Sequence, residues 1–96
     1  MRISYHPKVR HELRQAIFWY ERQQPGLGGE FRDAYKAALE GIVDHPDAYP
    51  TTYSDCRLAG LKTFPYGIVF RVDDQTISID CIRHHSRHPR FGFGRK

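Results

Sequence analysis

AIFWYERQQPGLGGEF, Ala16 to Phe31, decides the fold. Pro25-Gly26 breaks a chain that is helical in pattern on both sides. Upstream, Val9, Leu13, Ala16, Ile17 and Tyr20 recur at helical spacing and form one apolar stripe, with Pro7 suited to a first helical position. Downstream, Phe31, Ala34, Tyr35, Ala38, Leu39 and Ile42 form a matching stripe, and Glu30 and Asp33 lie near the positive end of that helix. The spacing predicts one helix from Pro7 to about Gln24 and a second from about Gly28 to just before Pro46. So short a connection makes them an antiparallel hairpin. Trp19 and Tyr20 are expected to pack within it. Phe18 points about 140° away from Leu13, among His11, Arg14 and Arg22 on the polar side.

Outside the hairpin the period changes to two. Ile3 and Tyr5 alternate with Ser4, predicting a short strand over Arg2 to His6. Arg57 to Phe64 reads as a strand. After Pro65-Tyr66-Gly67, Ile68, Phe70 and Val72 alternate with Val69, Arg71 and Asp73. Asp73-Asp74-Gln75 is turn-like, and Ile77, Ile79 and Cys81 alternate with Ser78 and Asp80 in a last strand. The order strand, two helices, three strands predicts an α+β domain with the helix pair on one face of a small antiparallel sheet.

Ninety-six residues make one domain with a modest core. No apolar run suggests a membrane span or an export signal, and two cysteines imply no disulfide framework, so a cytoplasmic protein is expected. The charge is unevenly placed. Ile82 to Lys96 holds five Lys/Arg, three His and no acid, against a whole-chain net charge of +4. A basic tail over 83–96 gives the domain a directional field suited to an acidic partner or a polyanion, unless it is simply solvated. His84, His85 and His88 do not make a convincing metal site: no cysteine or acid lies beside them and the surrounding cations repel a divalent ion. No metal and no cofactor is expected. Removing Pro89 to Lys96 is expected to leave the domain folded.

Four pieces of the chain together resemble the RelE/ParE superfamily of bacterial type II toxins. They are AIFWYERQQPGLGGEF, HPDAYP (His45 to Pro50), RLAGLKTFPYGIVFRV (Arg57 to Val72) and ISIDCIRHHSRHPRF (Ile77 to Phe91). The resemblance implies a helical hairpin on a small sheet, and a cognate antitoxin that covers the toxin until it is released. Phe18, with Arg14 and Arg22 beside it, is then a candidate antitoxin contact. It also implies one of two activities. One branch of the superfamily cleaves mRNA on the ribosome, which needs a base, an acid and cations for the phosphorane. His84, His85, Arg87 and Lys62 are the residues here that could serve. The other branch poisons DNA gyrase by binding, with Arg83, Arg87, Arg90 and Phe91 as candidate target contacts.

Against the nuclease branch, the positions where it carries its strand cations and its tail tyrosine fall here near Leu58, Gly60, Gly67 and Phe91, none of them charged or hydroxylated. Gyrase inhibition is therefore the leading expectation. A ribosome-dependent mRNA endonuclease, which would be metal-independent, is the second, and a non-toxic antitoxin-binding relic the third. Plainer roles compete at single residues. Arg57 is as well explained by pairing with Asp55 or Asp80 as by phosphate, Lys62 by solvent, and Phe91 and Phe93 by folding back on the sheet.

Overall fold

In the computed structural model, which describes residues 1–88, 91, 92 and 95, the chain forms β1 (Arg2–Tyr5), α1 (Pro7–Gln23), α2 (Leu27–Asp44), a short 3-10 turn over Pro46–Ala48, then β2 (Arg57–Gly60), β3 (Tyr66–Asp73) and β4 (Thr76–His84). No described helix is long and apolar enough to cross a membrane.

Local chemistry explains the hairpin. His6 caps α1 by accepting the Lys8 N–H on Nδ1 at 3.1 Å, and Pro7 follows at the first position, where it has no amide hydrogen to leave unpaired. Between the helices the chain turns at Gly26, whose φ of 92° suits glycine. The Glu21 carboxylate staples this turn by accepting the N–H groups of Gly26 at 3.0 Å and Gly28 at 3.0 Å. Gly28 lies so close to α1 that a Cβ there would sit 2.7 Å from the Ile17 carbonyl oxygen. The PGLGG wording is thus a packing motif.

The sheet order is β1-β4-β3-β2. β2, β3 and β4 form the expected antiparallel meander. β1 corrects the expectation of a wholly antiparallel sheet, because it pairs in parallel with β4, Ile3 opposite Ile77. Its link to the sheet runs through both helices, and a long crossover permits parallel pairing where a hairpin turn would not. β2 also stops at Gly60, short of Phe64, and 61–65 form an irregular connection in which Thr63 has a φ of 68°.

The helix-facing side of the sheet carries the main core. Phe31, Ile42, Ile68, Phe70, Ile77 and Ile79 are completely buried there, and Ile82 and Phe64 nearly so. Phe31 sits in an aromatic cluster with Tyr20, Phe64 and Tyr66 at centroid distances of 5.4, 5.0 and 5.0 Å. Tyr20 therefore packs in the core as expected. Trp19 does not: it is 56% exposed and touches Tyr20 edge-on at 5.0 Å.

A β-bulge in β4 changes which residues face the helices. Val69 pairs with Cys81 but Phe70 pairs with Ile79, so Asp80 is an extra residue. Beyond it the alternation reverses. Cys81, expected to continue the face of Ile77 and Ile79, lies instead on the opposite face with Val69, Cys56 and Leu58, while Ile82 takes the core position. Asp80 also lies on that opposite face, where Arg71 binds it with both oxygens, at 2.7 and 3.0 Å.

Candidate functional site

The reversal at Asp80 builds the site. It turns His84 to the helix side, against Tyr66 at a ring distance of 5.0 Å, and leaves Arg83 on the opposite face, 7% exposed. β4 runs through His84, so the first two residues of the basic segment belong to the sheet. The chain then turns sharply: the His85 N–H binds the Pro65 carbonyl at 2.8 Å and the Arg87 N–H binds the His84 carbonyl at 2.9 Å. The His84 ring stabilises this turn, since Nδ1 accepts the Ser86 N–H at 2.9 Å and lies 2.8 Å from its hydroxyl. A side-chain acceptor bonded to the amide two residues on is the geometry of an Asx turn. His84 performs it with imidazole, as His6 does at the start of α1.

Arg87 is thereby delivered to an open groove of about 1150 Å³ between the end of the sheet and α1. Tyr66, Ile82, His84, Arg87 and Phe91 line one wall; Lys8, His11, Gln15, Trp19 and Arg22 lie along the other. The Tyr66 phenol is pushed above its ordinary range by burial, with the nearby Arg87 opposing the shift. Among the described residues, Glu12 is the one acid lining the groove, and its carboxylate is engaged by Arg95 at 2.8 Å. The wall chemistry is therefore cationic and aromatic.

Phe91 folds back on the sheet, as one of the two expectations had it. Phe91 packs on the Cys56, Val69, Cys81 cluster, with the Arg87 and Arg95 guanidinium groups 4.9 and 5.2 Å from its ring centre. Gly92, at a φ of 85°, approaches so closely that a Cβ there would lie 2.5 Å from Cys81 Sγ. Burial drives the Cys81 thiol up to about 12, and burial is also the main cause raising Cys56. The Arg71 guanidinium is held above its usual value chiefly by its hydrogen bond to Asp80, with burial opposing.

The sequence-predicted residues fall in several places. His84, Arg87 and Phe91 share the groove, and Phe18 and Arg22 line its α1 wall. Arg83 lies on the opposite sheet face, while Lys62 and His85 are exposed and do not line the groove. Arg90 and Phe93 lie outside the described residues. On α1, Phe18 is 64% exposed with Arg22 over its ring at 5.7 Å, and with Leu13, Ile17, Arg14 and Arg32 it lines a second, largely apolar groove of about 750 Å³. Arg57 pairs with neither Asp55 nor Asp80: it donates to the Tyr49 carbonyl at 2.6 Å and faces Asp47 at 3.9 Å, because Arg71 already holds Asp80. Among the described residues no three or more His, Cys, Asp or Glu cluster as metal ligands would. Sequence reading missed Glu12, Tyr66 and Trp19 as groove residues. For Glu12 the available signal was an acid placed on the helix stripe, one position before Leu13.

A helical hairpin over one face of a mixed sheet, with a basic groove at the sheet's end, defines the class: a small α+β protein of the toxin fold expected from the sequence. The chain matches the family model for the ParE toxin of the parDE type II toxin–antitoxin system over residues 3–89, and it belongs to that family. It is similar in fold to a solved structure described as a chromosomal ParDE toxin–antitoxin system from P. aeruginosa, with a TM-score of 0.66 and 18% identity over 88% of this chain and 95% of that one. No match is found among curated proteins.

Proposed function

We propose that this ParE-family toxin acts by binding, as a non-enzymatic inhibitor of DNA gyrase in the cytoplasm, and that a cognate antitoxin neutralises it. One observation carries the preference over RNA cleavage. Of the positions that would hold the nuclease residues, Leu58, Gly67 and Phe91 belong to or border an apolar cluster, and Gly60 carries no side chain. Leu58 packs over Gly67, where a Cβ would lie 2.6 Å from Leu58 Cδ1, and the same face is closed by Val69, Cys81 and Phe91. A phosphorane there would meet methyl groups and a phenyl ring, and losing one oxyanion donor alone costs about 3–4 kcal/mol.

His84 and Arg87 do share the groove, yet His84 Nδ1 is engaged as a turn acceptor, leaving Arg87 as a binding cation beside Tyr66, with Trp19 on the facing wall. Such a wall suits an acidic protein surface, with arginine and aromatic anchors at its centre. The apolar groove around Phe18, bordered by Arg10, Arg14 and Arg32, suits an amphipathic acidic antitoxin segment. Purified toxin tested in a DNA supercoiling assay should inhibit gyrase in the absence of ribosomes, and Arg87→Ala should weaken inhibition at least about tenfold. Unchanged supercoiling at large toxin excess, with codon-linked cuts in translated mRNA, would transfer the function to the nuclease branch.

A further inference from the structure

β1 stops pairing with β4 at Tyr5 opposite Ile79, while β4 continues to His84. The edge of β4 beyond Ile79 therefore presents backbone groups that need partners. Glu12, on the face of α1 that crosses this edge, supplies one: its Oε1 accepts the Ile82 N–H at 3.1 Å. Its Oε2 holds Arg95 Nη1 at 2.8 Å, and the same Nη1 donates to the Asp80 carbonyl at 3.0 Å. Both side chains are largely withdrawn from water, 15% exposed for Glu12 and 14% for Arg95. The Arg95 guanidinium lies over one side of the groove's architecture at Phe91, and Arg87 stacks on that same ring. A continuous series of contacts thus runs from Glu12 through Arg95 and Phe91 to Arg87.

We propose that Glu12 is a positioning residue for Arg87, acting through Arg95 and Phe91; the proposal rests on reading Arg87 as a target contact. Arginine has a long side chain with many rotamers, and a guanidinium already stacked on a fixed ring loses less freedom on binding. The carboxylate fixes the ring by clasping Arg95 to the β4 edge. It also takes the one acid among the groove's described residues out of competition for Arg87, so those residues face the target with cations alone.

The test uses the full-length chain with Glu12→Gln, Arg95→Met and the double variant. Glu12→Gln keeps an acceptor for the Ile82 N–H and removes the ion pair; Arg95→Met leaves Glu12 on Ile82 and removes the clasp from the other side. Two measurements are made on protein shown to be folded by near-UV circular dichroism. Iodoacetamide labelling of Cys81, read by peptide mass spectrometry, reports whether Gly92 still covers the thiol. Growth arrest on induction reports toxicity without presupposing a target. Each single variant should speed Cys81 labelling and weaken growth arrest about tenfold, the scale of a lost charge-assisted hydrogen bond, and the double variant should be no worse than either. Lost toxicity with Cys81 still covered, an uncovered Cys81 with full toxicity, or additive losses would each overturn the proposal. If Glu12→Gln does not fold, Arg95→Met alone decides the matter by the same two measurements. Supercoiling assays on the same proteins separate the two readings: growth arrest that follows Cys81 protection without gyrase inhibition removes gyrase and leaves the clasp standing.

Discussion

Removing Arg71 should cost this protein more than removing its partner Asp80. The pair anchors the bulge that sets the phase of β4, and its two members are buried unequally: the Asp80 side chain is 4% exposed and that of Arg71 23%. Arg71→Met leaves an ionised carboxylate in the interior without the donors now at 2.7 and 3.0 Å. Breaking a buried pair in this way costs about 3–5 kcal/mol. Asp80→Asn keeps the shape and one acceptor, and the arginine left behind can reach water, so the loss should be only about 1–2 kcal/mol. At about 4–8 °C per kcal/mol for a domain of this size, Arg71→Met should lower Tm by more than about 12 °C and Asp80→Asn by about two thirds of that or less. An apolar pair, Arg71→Met with Asp80→Leu, should recover much of the single-variant loss, because desolvation no longer opposes folding. Urea denaturation followed by far-UV circular dichroism gives the free energies, and a thermal scan gives Tm. Equal losses, or a loss below about 1 kcal/mol for Arg71→Met, would show that the carboxylate is hydrated and would refute the anchoring of the bulge.

Other outcomes follow from the same geometry. His84→Asn should retain toxicity, since its Oδ1 can accept the Ser86 N–H, whereas His84→Ala should lose about tenfold in growth inhibition by loosening the turn that presents Arg87; equal toxicity of the two would remove this role. Gly28→Val should destabilise the hairpin by about 2 kcal/mol or more, measured by urea midpoint, because its side chain meets the Ile17 carbonyl. Cys81 and Tyr35 are both pushed up to about 12, Cys81 from an ordinary 9.0, so each holds its proton more tightly folded than unfolded. Their contribution to stability is complete below about pH 9 and declines as pH rises towards 12. Cys81→Ala should reduce that alkaline slope, and an unchanged slope would assign it elsewhere. Removing residues 89–96 should leave the main core folded, since its residues lie upstream, but should uncover Cys81 to alkylation and abolish toxicity; a truncated protein with a protected thiol would contradict the tail's placement.

The helices were legible because both carry an apolar stripe of period 3.6 bounded by Pro7, Pro25-Gly26 and Pro46, and local signals of that kind do not depend on distant partners. β3 was legible for the same reason, as Ile68, Phe70 and Val72 keep a strict period of two. The bulge was not. Ile77, Ile79 and Cys81 continue the alternation in the sequence, and only pairing with β3 reveals that Asp80 is extra. That single residue determines which of Arg83 and His84 faces the helices, a choice the alternation alone does not make. The parallel placement of β1 was equally hidden, since a crossover through two helices leaves strand direction open. Trp19 lies beside the core stripe in a helical projection, yet it borders the groove rather than the hairpin interior. Arg87 was proposed from its place in a tail motif; the role proposed for Glu12 rests on the β4 edge, which has no signature in the sequence.

Central to the proposed function is a toxin that occupies its target through the groove presented by Arg87, without cleaving RNA. The most direct measurement is a supercoiling titration of purified gyrase with wild-type toxin and Arg87→Ala, with no ribosome or mRNA present. Dose-dependent inhibition by the wild type, weakened at least about tenfold by Arg87→Ala, is the predicted result. Full supercoiling at large wild-type excess, from a preparation that still arrests growth, would contradict it.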